Sequence, residues 1–177
     1  MKIIIITGPS GSGKTFLANK LATDLKNSII INTDSYYRDW YFIKLLSFFM
    51  NDIYDRIISI KKNELKKTIE SIYKNYNHIT LYNYDYKIKK SSKLTIKNQI
   101  NKKTNFLIIE GVFSHRLDLN YKEAINIVCK ANKDICYQRR LKRDRLERGR
   151  EKKEVNKRFK KSWDIYFMNL NNYKNSN

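Results

Sequence analysis

Proline, cysteine and long apolar runs are scarce in this sequence of 177 residues. Its one proline, Pro9, leaves no proline-rich linker between two domains, so we expect a single domain over residues 1–177. The two cysteines, Cys129 and Cys136, have neither metal-ligand spacing nor a disulfide framework, which favours a reduced, cytoplasmic setting. No apolar stretch approaches the roughly 20 residues of a membrane span, and Met1 leads directly into a strand rather than into a signal peptide.

Basic residues outnumber acidic ones, with 37 Lys and Arg against 17 Asp and Glu and a net charge of +20. A basic surface attracts nucleic-acid phosphates regardless of sequence, so nucleic-acid binding is one interpretation. Much of the excess, however, is scattered lysine in a chain rich in Asn, Ile and Tyr, the composition that an AT-rich coding sequence favours. The basic residues are also not interleaved with stacking aromatics in a recognisable nucleic-acid motif. We therefore expect neither a nucleic-acid partner nor a membrane.

A glycine-rich loop lies between an apolar strand, residues 3–6, and a stretch with helical spacing of apolar residues. Such loops turn backbone N–H groups towards phosphate oxygens, and the following helix adds the positive end of its dipole. Lys14 would reach the β- and γ-phosphates, and the Thr15 hydroxyl would ligate Mg²⁺. A simple turn, the alternative, does not explain why Lys14 and Thr15 are adjacent. The residues expected to hold the nucleoside triphosphate, taken to be ATP, are Gly8, Ser10, Gly11, Ser12, Gly13, Lys14 and Thr15.

The order of apolar and amphipathic segments predicts an α/β fold. Buried-type strands separated by helices form parallel sheets, and ligands gather at the carboxyl ends of the strands. We expect a P-loop NTPase-type three-layer sandwich with a mostly parallel central sheet. Residues 87–103 are too polar and basic to assign, and the tail after residue 170 is expected to fray. Strands are predicted at 2–6, 28–31, 79–86, 106–109 and 125–129, and helices at 14–26, 40–50, 61–74, 134–148 and 152–170.

Three acidic residues follow predicted parallel strands: Asp34, Glu110 and Asp134. A phosphoryl-transfer site needs a base for the attacking hydroxyl and a carboxylate for Mg²⁺ or its waters. Asp34 and Glu110 are the natural pair, because both fall at the edge of the sheet that carries the loop. One such acid alone would more simply be a turn or a helix cap, but two beside the loop favour a function.

Residues 139–150, Arg-Arg-Leu-Lys-Arg-Asp-Arg-Leu-Glu-Arg-Gly-Arg, form the densest basic segment. Arginine binds phosphate oxygens in a bidentate manner and stabilises a transferring phosphoryl group. Gly149 would let the chain leave the helix, so residues 134–152 are predicted to form a helical lid that closes over the loop. The alternative is a solvated helix with Glu147 paired to Arg143 or Arg150, which we favour only for Lys142 and Arg145.

Short segments in a fixed order support a more specific interpretation. After the loop come Thr33-Asp34-Ser35-Tyr36-Tyr37, then Tyr84-Asp85-Tyr86, then Ile109-Glu110-Gly111-Val112-Phe113 and then the arginine-rich segment. Their order and spacing from Met1 to about Lys160 resemble uridine kinases, the uridine–cytidine branch of the P-loop kinases that includes phosphoribulokinase. The Arg-Asp-x-x-Glu-Arg-Gly-Arg pattern, together with Asp-Ser-Tyr-Tyr, is far more specific than the loop alone.

The resemblance implies roles for individual residues. Asp34 would accept the proton of a ribose 5′-hydroxyl, and Glu110 would organise Mg²⁺ through water. Tyr84 matches the aromatic residue beside the pyrimidine base, and Tyr37 belongs to the same acceptor pocket. Asp55, in a segment that matches only with a one-residue insertion, would bind ribose hydroxyls. The implied arginine roles are Arg140 and Arg150 near the nucleoside and the transferred phosphate, and Arg143 and Arg148 in the lid.

Two substitutions depart from the family pattern in the acceptor pocket. Lys89 stands where the family has a histidine that contacts the base, and Arg158 replaces a glutamine. A closing strand of the type Ala-Asp-x-Ile-Ile does not follow the last predicted helix. The added positive charge would suit an acceptor that carries a carboxylate or a phosphate.

Together these features predict an ATP- and Mg²⁺-dependent kinase. The expected acceptor is the 5′-hydroxyl of uridine or cytidine, which would give UMP or CMP in pyrimidine salvage. Lys14, Asp34, Arg140 and Arg143 are the expected catalytic residues. The alternatives are a related kinase with another acceptor, such as a sugar phosphate, pantothenate or another nucleoside, and a nucleic-acid-associated ATPase. A homo-oligomer remains compatible with the sequence.

Overall fold

The computed structural model describes residues 1–39, 41–49, 53, 56–74, 76–97, 104–117 and 123–175. The chain begins with a β–α–β unit and ends with two helices, as the sequence predicts. The strands are β1 Lys2–Thr7, β2 Ser28–Asn32, β3 His78–Asp85, β4 Lys90–Lys97, β5 Phe106–Gly111 and β6 Ile125–Val128. The helices are α1 Lys14–Asp24, α2 Tyr41–Phe49, α3 Lys62–Tyr73, α4 Lys133–Arg148 and α5 Lys152–Asn175.

A four-stranded sheet in the order β2-β5-β1-β6 forms the centre of the protein. All of its strand pairs are parallel, and β5 lies between β1 and β2, so the β1–α1–β2 connection crosses over one strand. Apolar residues of β1 and β5 are buried on both faces, which is why these strands read as continuous apolar runs in the sequence. The predicted α/β fold with a parallel central sheet is confirmed.

Alternate residues of the central strands supply two separate cores. Ile3 and Ile5 of β1, with Leu107 of β5, face a core completed by α3 and the tyrosines that follow β2. Ile4 and Ile6 of β1, with Ile108 of β5, face the opposite core, to which α1 contributes Ala18 and Leu21. Because successive side chains of a strand point to opposite faces, each strand holds a helical layer on either side. This is the predicted three-layer arrangement.

Strands β3 and β4 form an antiparallel hairpin outside the central sheet. β4 falls within the stretch 87–103 that the sequence left unassigned, because its residues are mostly exposed and polar. The hairpin is anchored by Tyr82, whose ring lies 5.1 Å from that of Tyr36 and whose hydroxyl donates to Glu64 Oε2 at 2.8 Å. At its other end, the Ser91 N–H donates to Asp39 Oδ2 at 3.0 Å. The hairpin therefore lies against the segment that follows β2.

Two predictions for the C-terminal half need correction. The sequence predicts a core strand at 125–129 from its apolar residues. In the structure β6 is an edge strand of the described sheet, and Ile125 is 52% exposed. Helix α5 continues to Asn175, five residues beyond its predicted end at Leu170. Its apolar side stacks aromatic rings along the helix, including Phe159 and Trp163 at 5.5 Å. Within the described ranges, no helix combines the length and apolarity that crossing a membrane requires.

Candidate active site

The candidate site lies at the carboxyl edge of the parallel sheet. The strand register places Ile6, Asn32 and Glu110 in one row, so the segments that follow β1, β2 and β5 start side by side. The glycine-rich loop follows β1, and Asp34 lies in the 3₁₀ turn Thr33–Tyr36 directly after β2. Parallel strands thus bring together residues that are 20 to 100 positions apart in the sequence.

Left-handed glycines shape the loop and lead into α1. Gly11 has φ +86° and Gly13 has φ +94°, conformations that side-chain-bearing residues rarely adopt. A Cβ atom at Gly11 would also collide with the carbonyl of Cys136 in α4, so the loop lies directly against that helix. Gly8 is similarly confined, because a Cβ there would come within 2.6 Å of Ser12 Oγ. The loop therefore has the compact form that a phosphate-binding turn requires.

Lys14, the first residue of α1, is buried and folds back over the loop. Its ammonium group donates to the Pro9 carbonyl at 3.1 Å. Burial lowers the pKa of Lys14, while the negative charges of Asp34 and Glu110 act in the opposite direction. The ammonium is thus held between the loop and two carboxylates, at the centre of the sheet edge.

The two predicted acids occupy different environments. Glu110 is almost fully buried and accepts a hydrogen bond from the Thr15 hydroxyl at 3.0 Å. Burial raises the pKa of Glu110, and the nearby charge of Asp34 raises it further. The Asp34 N–H donates to Asn32 Oδ1 at 2.8 Å, and Asp34 Oδ1 is buried without a hydrogen-bond partner among the described residues. Asp134 is exposed in the first turn of α4, where Asn132 caps it, and belongs to the helix start.

A cavity of about 610 Å³ lies between the loop and α4. Two arginines of α4 reach the loop across it: Arg143 Nη2 donates to Ser10 Oγ at 3.0 Å, and Arg139 Nη1 donates to the Gly11 carbonyl at 3.4 Å. The cavity is large enough for a nucleotide and presents cationic groups on both sides. Its lining residues are Gly11, Gly13, Lys14, Thr15, Phe16, Arg139, Arg140, Arg143 and Glu147.

A second cavity, of about 50 Å³, lies between the hairpin and the C-terminal helices. Three tyrosine rings form one wall, with Tyr84 packed at 5.4 Å from Tyr37 and 5.3 Å from Tyr86. Cationic side chains form the other wall. Arg140 lines both cavities, so its side chain lies between the two spaces. The lining residues are Tyr37, Tyr84, Tyr86, Lys89, Arg140, Arg148, Arg150 and Arg158.

One buried carboxylate connects the arginines of the predicted lid. Asp144 is fully buried, and Arg140, Arg143, Arg148 and Arg150 all place a nitrogen within 4 Å of its oxygens. The alternative in the sequence analysis paired Glu147 with Arg143 or Arg150, but Glu147 is exposed and lines the larger cavity. Lys142 and Arg145 are exposed, as the sequence predicts.

Comparison with known proteins agrees with this geometry. Residues 3–171 match the Phosphoribulokinase / Uridine kinase family. The chain belongs to this family. Among its relatives is a uridine kinase of Enterobacter sp. (strain 638), 31% identical over 168 residues that cover 90% of this chain and 76% of the relative.

Solved structures extend the likeness to the fold. A possible uridine kinase from Bacillus stearothermophilus has a TM-score of 0.60 at 19% identity. The match covers 94% of this chain and 81% of the Bacillus chain. A candidate fructose transport system kinase from Silicibacter sp. TM1040 has a TM-score of 0.65 at 15% identity. The match covers 93% of this chain and 84% of the Silicibacter chain. Kinases with different named acceptors thus share this architecture. The protein is a kinase of the phosphoribulokinase/uridine kinase family with a P-loop fold.

Most residues that the sequence assigned to the acceptor side converge in the structure. Six of them line the smaller cavity. Burial, and then the charge of Asp34, raise the pKa of Tyr86 in the same wall. Lys89 adopts φ +51°, a left-handed conformation that is uncommon for a residue with a side chain, in the turn between β3 and β4. Asp55 lies outside the described residues, so its predicted contact with ribose remains a prediction. The six residues are Tyr37, Tyr84, Lys89, Arg140, Arg150 and Arg158.

Asp144 and Tyr86 are among the residues that the sequence analysis did not assign to the site. Asp144 is spaced four residues from both Arg140 and Arg148, so helical periodicity places all three on one side of α4 and could have identified the cluster. Tyr86 carries the Arg148 guanidinium 3.8 Å from its ring centroid, an arrangement favourable for a cation–π contact. No sequence signal pairs these two residues, because they come from the hairpin and from α4.

Proposed function

We propose that this kinase transfers the γ-phosphate of ATP to the 5′-hydroxyl of uridine or cytidine. The observation that carries the proposal is that Arg140 lines both the cavity beside the P-loop and the cavity lined by Tyr37 and Tyr84. The smaller cavity, at about 50 Å³, lies below the roughly 300 Å³ of a small-molecule site, so it would have to widen to admit a nucleoside. A donor and an acceptor on the two sides of Arg140 would then lie where its guanidinium can stabilise the migrating charge. The name of the uridine kinase relatives supports a pyrimidine nucleoside as the acceptor.

The residues at the meeting point suit phosphoryl transfer. Asp34 Oδ1 has no hydrogen-bond partner among the described residues, so it is available to accept the proton of the attacking hydroxyl. Loop N–H groups and Lys14 would bind the β- and γ-phosphates, and Arg143, in contact with Ser10, would approach them from α4. Closure of α4 and the Gly149 turn over the site would exclude water.

Thr15 and Glu110 fit a magnesium site. Their side-chain oxygens lie 3.0 Å apart, and Mg²⁺ prefers one or two protein oxygens together with substrate phosphates and water. The burial that raises the pKa of Glu110 makes an additional cation at this position favourable. When bound, Mg²⁺ would neutralise charge on the transferred phosphate.

A panel of acceptors tests the proposal. Purified protein is incubated with γ-labelled ATP and Mg²⁺ and with uridine, cytidine, adenosine, pantothenate, a sugar phosphate or a polynucleotide, and labelled products are separated. We expect UMP and CMP, and loss of both with the Lys14→Ala variant. Turnover of another acceptor without turnover of uridine or cytidine would exclude the nucleoside assignment. ATP hydrolysis that rises with polynucleotide and yields no phosphorylated small molecule would favour a nucleic-acid-associated ATPase.

The charge of the smaller cavity favours a second candidate, an acceptor that carries a carboxylate or a phosphate. Cationic groups make up most of its lining. Asp144 pairs with Arg150, and Glu154, which is 43% exposed, pairs with Arg150 and Arg158. Removing Arg158 discriminates the candidates. The five cationic residues are Lys89, Arg140, Arg148, Arg150 and Arg158.

For an anionic acceptor, Arg158→Gln should raise the KM of that acceptor at least about tenfold, because a charge-assisted contact is lost. For uridine, the same change should leave KM within about threefold. Lys87→Gln, an exposed lysine of the same hairpin turn, is the matched control and should leave both values unchanged.

A further inference from the structure

Asp144 lies at the centre of the arginine cluster. Its Oδ2 accepts a hydrogen bond from Arg150 Nη1 at 2.9 Å and lies 3.6 Å from Arg140 Nε. Its Oδ1 lies 3.1 Å from Arg148 Nη1 and 3.6 Å from Arg143 Nε. The carboxylate has no exposure to solvent. Only the contact with Arg150 is a hydrogen bond, and Oδ1 has no hydrogen-bond partner among the described residues. The other three arginines are attracted to the carboxylate by charge at 3.1 to 3.6 Å.

Three of these arginines also reach different parts of the protein. Arg143 contacts Ser10 in the P-loop, and Arg148 covers the ring of Tyr86 in the hairpin. Arg140 donates to Ser162 Oγ in α5 at 2.5 Å. Asp144 thus couples the P-loop, the hairpin and α5 through a single group.

The backbone of Asp144 ties the turn that follows α4. The N–H groups of both Gly149 and Arg150 donate to its carbonyl, the latter at 3.1 Å. Arg150 is therefore held twice by the same residue, once through its backbone and once through its guanidinium. Gly149, at φ +62°, provides the left-handed turn that makes this double contact feasible.

Four guanidinium groups gathered without a counter-ion would repel one another and turn towards solvent. A carboxylate among them offsets this repulsion and draws the guanidinium groups towards one buried point. The cluster still carries an excess of positive charge, which phosphate groups in the neighbouring cavities can complement. Asp144 itself would repel a phosphate, so its contribution can only be indirect.

We propose that Asp144 is a positioning residue that holds Arg140, Arg143, Arg148 and Arg150 in the arrangement that binds phosphate during transfer. The proposal rests on the proposed phosphoryl-transfer function of these arginines. It predicts the opposite of what removing a negative charge alone would do to ATP binding. If the arginines kept their places, removing the negative charge would strengthen ATP binding; if Asp144 positions them, removing it weakens binding and turnover.

Asp144→Asn, which keeps the shape and removes the charge, tests this. Affinity for Mg·ATP is measured by calorimetry, which requires no acceptor, and kcat is measured with the best acceptor. We expect the Kd for ATP to rise about fivefold and kcat to fall about tenfold or more. Asp134→Asn, on the exposed start of the same helix, is the matched control and should change neither value. Unchanged or tighter ATP binding would overturn the inference.

A double-mutant cycle separates positioning from a purely structural role. If Asp144 acts through Arg143, the pair Asp144→Asn and Arg143→Ala should weaken ATP binding by less than the product of the single effects. Multiplicative effects would show that Asp144 does not act through Arg143 and would overturn the inference for that arginine. If Asp144→Asn does not fold, Asp144→Glu replaces it: the carboxylate moves by one methylene, and unchanged ATP affinity would overturn the inference. A wild-type protein that binds ATP but phosphorylates no acceptor would contradict the proposed function, while the binding cycle would still decide the role of Asp144.

Discussion

The ammonium group of Lys14 donates to the carbonyl oxygen of Pro9 at 3.1 Å, across the P-loop in which both residues lie. This contact holds the charge over the loop, so little side-chain freedom remains to be lost when phosphate binds. The position also lies within the electrostatic reach of Asp34 and Glu110. A single lysine thus connects the phosphate-binding backbone to the two acids of the site.

Lys14→Ala should raise the Kd for ATP at least about tenfold and lower kcat as well, because a buried cation that contacts phosphate in both ground and transition states is lost. Binding is measured by calorimetry and turnover by product formation. Lys20→Ala, an exposed lysine of the same helix, serves as the control and should match the wild type. Wild-type ATP affinity in Lys14→Ala would show that Lys14 does not bind the phosphates.

Asp34→Asn should lower kcat by roughly 10²-fold or more, the contribution of a general base, and should leave ATP affinity within about threefold. The amide keeps the volume of the side chain but cannot take the proton of a hydroxyl. Single-turnover rates with saturating ATP measure the chemical step directly. The matched control is Asp24→Asn at the exposed end of α1. An unchanged single-turnover rate would rule out Asp34 as the base.

Glu110→Gln should make the protein less active and more stable. Burial is the main cause that raises the pKa of Glu110 in the folded protein above its ordinary value of 4.5. The folded protein is therefore most stable with Glu110 protonated, and that stability is lost as the pH rises above 4.5 and the side chain becomes charged. The neutral amide avoids this cost and can still accept the Thr15 hydroxyl. We expect Tm to rise by about 2 °C or more at neutral pH, and the difference from wild type to shrink as pH falls towards 4.5.

The same variant should need at least about tenfold more Mg²⁺ for half-maximal activity, because a carboxylate that binds the cation or its waters is lost. A magnesium titration at fixed ATP measures this. If Glu110→Gln lowers Tm at neutral pH, the charged carboxylate is stabilising in the folded protein. If the magnesium requirement is unchanged, Glu110 is not part of the cation site.

Gly11→Ala and Gly149→Ala form a matched pair. Both glycines are left-handed, but a Cβ at Gly11 would collide with the Cys136 carbonyl, whereas nothing lies within 4 Å of one at Gly149. Gly149→Ala should cost about 1 kcal/mol of unfolding free energy for the backbone conformation alone. Gly11→Ala should cost more and weaken ATP binding, because the loop must move away from α4. Denaturant unfolding compares the two, and equal losses would contradict the tight contact between the loop and α4.

The P-loop, the parallel strands and the paired acids followed from the sequence because each depends on local pattern. Continuous apolar runs specify strands buried on both faces, and parallel pairing then brings their carboxyl ends to one edge. These two features were sufficient to predict that Lys14, Asp34 and Glu110 lie at one edge of the sheet. The exposed edge strand β6 is an exception, because a run of apolar residues alone does not distinguish a central strand from an edge strand.

The hairpin strand β4 could not be predicted, because its exposed polar residues lack the alternation that marks a half-buried strand. The sequence also could not predict the contact of Arg148 with Tyr86, or that Arg140 lines both cavities. The sequence alone determined which residues are candidates for binding phosphate and on which strand ends they lie, because periodicity and loop chemistry are local. Only the tertiary structure decided that one buried carboxylate, Asp144, gathers four arginines beside an aromatic wall, because burial and long-range packing set the partner of each charge.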